Sequence, residues 1–356
     1  MSRMGFEPVS SWVNTLGIRQ WVVLPHLHGC RSINPLRVGF IDQAMVDIPE
    51  RPRVTDSKKV WCSILTNTAY LPGILTLEYS LRKHDTKYPF IVLYTDSLPE
   101  EAHAALDARG ILKQPVPYLK PAMTTDLTQD RRLYDAWTKL IAFALYEYDH
   151  VVLLDCDMMV LHNMDELMDV ELDPPEMGGK GKRVFGSTHA CVCNPLKRPH
   201  YPADWIPANC GWALQHDTPE LAQTTAPPIE GSWGLCNTGI IVTRPSEGTW
   251  KIITDSLATS NTADWIFADQ SLLSEVFQYR WAPLPYIYNA LKTKRWEGVH
   301  DAIWRDDRVK NIHYFLTPKP WDETPPVHAD PTHAWWCALN AERKEHDKAR
   351  GLTDGH

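Results

Sequence analysis

The sequence predicts an α/β fold in which a mostly parallel sheet is covered by helices on both faces. Short apolar runs of strand length alternate along the chain with segments of helical periodicity, an order typical of such sheets. The apolar run at residues 151–154 is followed at once by Asp155-Cys156-Asp157, which is typical of a buried strand that ends at a ligand-binding edge. With 356 residues, of which 44% are hydrophobic, the chain can bury a full core as one large domain with insertions or as two smaller units.

Strands and helices alternate in the first half of the chain. The predicted strands are runs rich in β-branched and aromatic residues, and the predicted helices place apolar residues three and four positions apart. A proline at the start and Gly110 at the end bound one of these helices. No Gly-x-Gly-x-x-Gly follows the first strand, so the dinucleotide fingerprint is absent. The elements are predicted at residues 59–66 (strand), 71–83 (helix), 89–95 (strand), 99–109 (helix), 137–148 (helix) and 151–154 (strand).

The second half of the chain differs in composition. Residues 173–230 are rich in Pro, Gly, Cys, His and Trp and show no sustained period, so we expect a long irregular insertion with a functional role. In the tail, Trp335, Trp336 and Leu339 are spaced to clamp a final helix onto the body. The later elements are predicted at residues 235–243 (strand), 249–258 (helix), 270–277 (helix) and 332–350 (helix).

The predicted organisation is an N-terminal extension at residues 1–57, one α/β domain at residues 58–322 and a helical tail at residues 323–356. Before residue 42 the extension carries four arginines but only one acidic residue, Glu7. That bias is shared by transit peptides and by loosely attached extensions, and both interpretations stay open.

Charge and composition exclude several classes of protein. Lys and Arg number 36 against 44 Asp and Glu, and the resulting net charge of −8 argues against general nucleic-acid binding. No apolar run reaches the roughly 18 to 20 residues of a membrane span. Eight cysteines scattered along a long chain fit reduced thiols. We therefore expect a cytoplasmic protein with neither a nucleic acid nor a membrane as partner.

Asp155 and Asp157 require a physical reason, because unpaired carboxylates beside a core repel each other and lose hydration. A hard divalent cation between them would remove both costs and keep open positions for a phosphate. The alternative on this spacing alone is that one aspartate caps the following turn and the other is solvated.

Further polar motifs follow one another in a fixed order. They are Thr66-Asn67-x-Ala69-Tyr70, Thr138-Lys139-Leu140, Asp155-Cys156-Asp157, Asn237-Thr238-Gly239, Asp269-Gln270, Ile287-Tyr288-Asn289, His313 and Lys319-Pro320-Trp321. Together they resemble the family 8 glycosyltransferases, the retaining enzymes that include glycogenin and galactinol synthase. The resemblance covers roughly residues 58–322, and an ordered set of motifs is far more specific than any single one. It implies one Rossmann-like domain of the GT-A type that binds a nucleotide sugar.

The resemblance implies that Asp155, Asp157 and His313 hold a Mn²⁺ ion, which bridges the two phosphates of a UDP-sugar. A borderline ion explains one imidazole among oxygen ligands. Taken by itself, His313 would be interpreted as a satisfied core histidine.

Other positions match the donor contacts of this family. Tyr70 would stack on the uracil, Asn67 would hydrogen-bond to it, and Lys319 would contact the pyrophosphate. Family members usually have a glycine between the histidine and the lysine of the last motif, where this chain reads His313-Tyr314-Phe315-Leu316-Thr317-Pro318-Lys319. The implied donor-binding residues are Thr66, Asn67, Tyr70, Arg131, Cys156 and Lys319, with Arg132 as the alternative to Arg131.

The implied chemistry is transfer of a hexose with retention at the anomeric carbon. In this family retention is generally explained by front-face attack, in which the leaving phosphate accepts the acceptor's proton. Asp269 and Gln270 would lie beside the anomeric carbon and Asn237 would bind the sugar hydroxyls, while Lys139 resembles the lysine near the sugar. The structural alternative for Asp269 is an N-cap on the helix that follows it.

The acceptor separates three hypotheses. Residues 290–312 contain no tyrosine, although glycogenin carries its self-glucosylated tyrosine in this interval. The long insertion with its Cys-x-Cys resembles galactinol synthase, so transfer to a small polyol or sugar is the favoured function. The alternatives are a glycogenin-like self-glucosylating initiator and a non-catalytic nucleotide-sugar-binding protein. A homodimer is compatible with the sequence.

The insertion also contains a cluster of soft metal ligands. His189, Cys191 and Cys193 alternate along the chain, and Cys210 follows. These four could supply the ligands of a structural zinc, with Cys191, Cys193 and Cys210 as its thiolates, although the spacing is not that of a C-x-x-C pair. Buried free thiols or a disulfide are the alternatives.

Overall fold

The structure is a computed structural model. It describes residue 48 and residues 51–121, 133–230, 234–260, 262, 265–323 and 329–356. Most of the predicted N-terminal extension lies outside these residues, as do Arg131 and Arg132, the two candidates for a donor-binding arginine.

The described strands and helices follow the predicted alternation. The strands are β1 (Lys59–Leu65), β2 (Phe90–Tyr94), β3 (Leu112–Pro115), β4 (His150–Leu154), β5 (Met158–Val160), β6 (Phe185–His189), β7 (Cys236–Thr243), β8 (Ala282–Pro283), β9 (Ala290–Leu291) and β10 (Asn311–His313). The α-helices are α1 (Leu71–Lys83), α2 (Glu100–Arg109), α3 (Leu133–Ala136), α4 (Glu247–Thr259), α5 (Asp269–Val276) and α6 (His333–Ala349). The helix predicted at residues 137–148 is a 3-10 helix, Trp137–Ala144, that continues from α3.

The central sheet has seven strands within the described residues, in the order β3-β2-β1-β4-β7-β6-β8. Strands β3, β2, β1 and β4 pair in parallel, as do β6 and β8. Strand β7 is antiparallel to both of its neighbours. The prediction of an α/β fold with a mostly parallel sheet is therefore confirmed.

Both faces of the sheet are buried, which explains the continuous apolar runs of its strands. On one face Val60 and Cys62 pack with the 3-10 helix and with α4 and α5. On the other face Trp61 and Leu65 pack against α1 and α2. The result is a sheet between two helical layers, with its carboxyl edge left open for a site.

The prediction that residues 173–230 form an irregular insertion is wrong in one respect, because this stretch contains strand β6. All five residues of β6 are buried, and the strand joins the sheet between β7 and β8. Its sequence Phe-Gly-Ser-Thr-His has little of the composition expected of a strand, so local propensity does not reveal it. Tertiary packing decides it, since Phe185 lies between Phe143 and Trp281, at ring-centroid distances of 5.8 and 6.4 Å.

A second sheet has three strands in the order β5-β10-β9, and it pairs β10, near the end of the domain, with β5, which follows the Asp-x-Asp turn. In its antiparallel pairing of β10 with β5, His313 lies opposite Met158, next to the Asp-x-Asp turn. The final helix α6 lies against α1, where Tyr79 donates a hydrogen bond to Glu342 at 3.0 Å. As predicted for the tail, Trp336 and Leu339 are buried. Among the described helices, none combines the length and the apolar character needed to span a bilayer.

Candidate active site

A cavity of about 440 Å³ opens where β1 and β4 end beside β7. This volume lies within the range of about 300–1,000 Å³ that is usual for small-molecule sites. The motifs singled out in the sequence converge on it, although they are far apart along the chain. Of the predicted site residues, Thr66, Asn67, Tyr70, Lys139, Asp155, Cys156, Asp157, Asn237, Asp269, Gln270 and His313 line the cavity.

Asp155, Asp157 and His313 meet in the wall of this cavity. Nε2 of His313 lies 3.2 Å from Oδ1 of Asp157 and 3.8 Å from Oδ2 of Asp155. One ligand atom from each residue lies within 4.8 Å of the others, so the three side chains could hold a metal ion. Two carboxylates and one imidazole suit a divalent ion of borderline softness.

Hydrogen bonding fixes the proton of His313. Its Nδ1 lies 2.8 Å from Oδ1 of Asn289, and a carbonyl oxygen only accepts, so Nδ1 carries a proton and Nε2 is the nitrogen directed at the two carboxylates. The ring is also confined by Gly239, where an added Cβ would lie 2.6 Å from Cε1 and 2.7 Å from Nδ1 of His313. The glycine of the Asn-Thr-Gly motif is therefore required by the close approach of the histidine.

Two lysines balance the acidic groups. Nζ of Lys139 lies 3.1 Å from Asp155 and 3.2 Å from Asp269, and it is therefore bound to two carboxylates at once. Lys319 is 3% exposed, and its ammonium group contacts Oδ2 of Asp157. The predicted lysine of the last motif thus lies against the Asp-x-Asp turn rather than in the open cavity.

These charges set the protonation states of the site. Burial by itself would raise the pKa of Asp157, but Lys319 and His313 outweigh it and hold that pKa well below its usual value. Burial likewise opposes the charge on Lys139, yet its two carboxylate partners raise the pKa of the ammonium group. For Asp269 the balance is opposite, since burial dominates over Lys139 and raises the pKa of the carboxyl group.

The turn between the two aspartates packs tightly against α1. A Cβ on Gly73 would lie 2.3 Å from the carbonyl oxygen of Cys156 and 2.9 Å from the ring of Trp321. The indole of Trp321 donates to the carbonyl of Ala69 at 3.0 Å and meets Tyr70 edge-on, with centroids 5.8 Å apart. Trp321 of the Lys-Pro-Trp motif therefore packs directly against the motif that contains Ala69 and Tyr70.

The segment after β1 is held by a residue that the sequence did not reveal. Oδ2 of Asp135 accepts a hydrogen bond from the hydroxyl of Thr66 at 2.7 Å, and Oδ1 accepts one from Tyr118 at 3.0 Å. Asn67 caps the following turn by accepting from the amide of Ala69 at 3.0 Å. Asp135 lies a short distance before Lys139 in the chain, but no motif marks it.

A chain of side-chain amides runs from the histidine to the other side of the cavity. Asn289 donates to Oδ1 of Asn237 at 2.7 Å, and Asn237 donates to Gln270 at 3.2 Å. Asp269 is the first residue of α5 and not its N-cap. The N-cap is Ala268, whose φ of 48° and ψ of −121° are rare for a residue with a side chain and indicate backbone strain beside the site.

The insertion contributes cavity-lining residues that no motif predicted. Arg198, His200 and Tyr201 line the main cavity, and a smaller cavity of about 100 Å³ adjoins it. Within the smaller cavity Trp205 stacks on Phe267, with ring centroids 4.7 Å apart and planes at 16°. Aromatic composition was the only signal in the sequence that could have indicated this wall.

The departure from the family pattern in the last motif has a structural counterpart. Leu316 adopts φ of +72°, a left-handed conformation that glycine tolerates best. The backbone therefore takes a shape that suits a glycine, without a glycine at this position, at a cost of about 1–2 kcal/mol.

The cysteine cluster differs from the predicted one in its fourth member. Nε2 of His189 is 2.8 Å from the carbonyl oxygen of Pro227, so this histidine is committed elsewhere. His300 takes its place and forms a group with Cys191, Cys193 and Cys210. The three thiols are free, so the disulfide alternative does not apply.

Comparison with known proteins agrees with the motifs. The model of glycosyl transferase family 8 matches residues 61–325, which is more than half of the chain. The uncharacterized protein R707 of Acanthamoeba polyphaga mimivirus is 27% identical over 262 residues, which cover 73% of this chain and 80% of that protein. Galactinol synthase 2 of Arabidopsis thaliana is 25% identical over 282 residues, covering 77% and 76%.

Among solved structures, the apo structure of the bifunctional glycosyltransferase WbbM matches with a TM-score of 0.53 at 19% identity. The match covers 85% of this chain and 53% of WbbM, so this chain spans about half of that protein. At such identity the likeness concerns the fold, which is of the GT-A type. The family model, which matches more than half of the chain, shows that the chain belongs to glycosyltransferase family 8.

Proposed function

We propose that the protein transfers a hexose, with retention, from a UDP-sugar to a small polyol or sugar, and that Asp155, Asp157 and His313 hold Mn²⁺. The observation that carries this proposal is that the three side chains and Lys139 meet at one cavity, while Lys319 contacts Asp157 from the buried side of the Asp-x-Asp turn. Membership of the family supports transferase chemistry. Likeness to galactinol synthase 2 of Arabidopsis thaliana, at 25% identity, supports a small polyol as the acceptor.

The ligand set fits Mn²⁺, because Nε2 of one imidazole faces two carboxylates. When bound, the ion supplies Lewis-acid stabilisation of the negative charge on the departing diphosphate. The hydrogen bond from Nδ1 of His313 to Asn289 keeps Nε2 directed at the two carboxylates, and Gly239 leaves room for the imidazole ring.

Lys319 binds the pyrophosphate in this proposal. An ammonium group has three donors, and two of those of Lys319 are directed at Asp157 and at the carbonyl oxygen of Tyr314. The remaining donor serves a phosphate oxygen. The centroid of the Tyr70 ring is 5.8 Å from the same ammonium group, which supports uracil stacking by Tyr70 next to the proposed phosphate site.

The hexose lies between Lys139, Asn237 and Gln270. Asn237 and Gln270 present amide groups to the sugar hydroxyls. Asp269 is a poor nucleophile, since it is 2% exposed and paired with Lys139. We therefore assign it to holding Lys139 in place, and front-face attack needs no enzyme carboxylate.

The smaller cavity is the proposed acceptor site. It shares Asn237 and Gln270 with the main cavity, so a ligand there would lie next to the reacting carbon. Tyr201, Trp205 and Phe267 form an aromatic wall suited to the apolar face of a sugar or cyclitol.

The test is an assay of UDP-glucose, UDP-galactose and UDP-N-acetylglucosamine with Mn²⁺, first for hydrolysis and then with an acceptor panel that includes myo-inositol. We expect one donor to be used, a product of retained configuration by NMR, and loss of both reactions in Asp157→Asn. No turnover of any donor in the wild-type protein would overturn the proposal. A ladder of hexose additions in the intact mass would favour the glycogenin-like alternative instead.

A further inference from the structure

A second cluster of metal-ligating side chains lies away from the Asp-x-Asp site. Cys191 and Cys193 follow β6, Cys210 precedes a 3-10 helix, and His300 comes from far along the chain. Nε2 of His300 lies 3.4, 3.2 and 3.3 Å from the sulfur atoms of Cys191, Cys193 and Cys210 respectively. All four ligand atoms lie within 4.8 Å of one another.

We propose that these four residues bind a structural zinc ion, which fixes the insertion against the body of the enzyme. In a tetrahedral site with Zn–S of about 2.3 Å and Zn–N of about 2.05 Å, a sulfur and a nitrogen lie about 3.6 Å apart. The observed separations are close to this value. Three thiolates and one imidazole fill all four positions, so the site leaves no place for substrate and is not catalytic.

The surroundings of His300 are those of a metal ligand. His300 is 0% exposed, and its second nitrogen, Nδ1, is 2.9 Å from Nε2 of His216. Such a contact orients the ring and leaves Nε2 directed at the three sulfur atoms. Cys193 and Cys210 are also buried, so the cluster is shielded from water.

A buried lysine supplies an independent argument. Lys294 is 1% exposed, and among the described residues its ammonium group has no hydrogen-bond partner. It lies 3.7 Å from the centroid of the Trp212 ring and interacts electrostatically with all three thiols of the cluster. An isolated buried ammonium group is costly. Zn²⁺ with three thiolates and a neutral imidazole carries a net charge of −1, which Lys294 would compensate.

The position of the cluster explains what zinc would do. Cys193 and Cys210 enclose the segment that carries Arg198 and Tyr201 into the main cavity and Trp205 into the smaller one. This segment consists of turns and one short 3-10 helix, Pro207–Asn209, and forms no strand or α-helix. A metal that joins its two ends to His300 would hold the cavity wall in one conformation.

The first test uses the wild-type protein, dialysed against EDTA to remove loosely bound Mn²⁺. We expect about one zinc per chain by elemental analysis, with a shell of three sulfur atoms at about 2.3 Å and one nitrogen at about 2.0 Å by X-ray absorption. Titration with a mercurial should release that zinc in step with the modification of the cluster thiols. Protein free of zinc, or zinc bound only by nitrogen and oxygen, would overturn the proposal.

The second test uses variants and reads zinc content rather than activity. Cys193→Ser and Cys210→Ser should lower zinc at least tenfold, whereas Cys337→Ser, a half-buried thiol outside the cluster, should retain it. Asp157→Asn should also retain zinc, which separates this site from the proposed Mn²⁺ site. Zinc that persists in both cluster variants would exclude the assignment. If those variants do not fold, the wild-type mercurial titration and absorption spectrum still decide the question.

Discussion

Replacement of Gly239 by alanine is the sharpest test of the proposed metal site. The new Cβ would lie 2.6 Å from Cε1 of His313, and ordinary contact begins near 3.4 Å, so the ring would have to move away by 3.4 minus 2.6, or about 0.8 Å. If β7 moved instead, Asp155 would shift, because its amide donates to the carbonyl of Gly239 at 2.9 Å. Either movement displaces a ligand by more than the roughly 0.2 Å that a metal site tolerates.

We expect Gly239→Ala to weaken Mn²⁺ binding about 10- to 100-fold, the usual effect of disturbing the support of a ligand. That range corresponds to about 1.4–2.8 kcal/mol of binding free energy. Mn²⁺ titration followed by electron paramagnetic resonance, with and without UDP, measures this affinity directly. Donor hydrolysis at limiting Mn²⁺ should fall in parallel.

The matched control is Gly186→Ala in the neighbouring strand β6. Its new Cβ would lie 3.2 Å from Cβ of Val242, so it crowds the same sheet without touching a ligand. We expect a stability loss of about 1 kcal/mol and unchanged Mn²⁺ affinity. If Gly239→Ala binds Mn²⁺ as tightly as this control does, His313 is not a ligand and the metal site is misassigned.

Three further substitutions test other parts of the site. Lys319→Met removes the ammonium group from Asp157, and kcat/KM for donor hydrolysis should fall about 10²- to 10³-fold, since a donor to the leaving group is lost; a loss of less than threefold would contradict this role. Asp269→Asn should abolish turnover, yet its melting temperature at pH 7 should be higher than that of the wild-type protein. The pKa of Asp269 is raised in the folded protein, so the wild-type protein loses stability as the pH rises through that pKa. In thermal unfolding, the difference between the two proteins should narrow as pH falls toward about 3.9, the ordinary pKa of Asp; a wild-type protein that is more stable at pH 7 would refute this. Trp205→Ala should lower transfer to the acceptor about tenfold more than it lowers donor hydrolysis, as measured by the ratio of the two products, and an unchanged ratio would place the acceptor elsewhere.

Candidate site residues could be predicted from the sequence where neighbouring residues form a recognisable pattern. Asp155 and Asp157 follow a buried strand, and the local pattern singles them out because strand periodicity depends on near neighbours. Asn237 and Gln270 were predicted only through the resemblance of the ordered motifs to the family. Asp135 and Tyr201 were missed, since each is brought to the cavity by packing rather than by any local pattern.

The sequence by itself determined the alternation of strands and helices, the ordered motifs and the identity of the Asp-x-Asp turn. Only the tertiary structure decided that β6 belongs to the sheet and that His300, not His189, completes the cysteine cluster. It also decided that Lys294 is buried beside that cluster. The physical reason is that local preferences act over a few residues, whereas these contacts join segments far apart in the chain, and their partners are selected by burial and charge in the folded core.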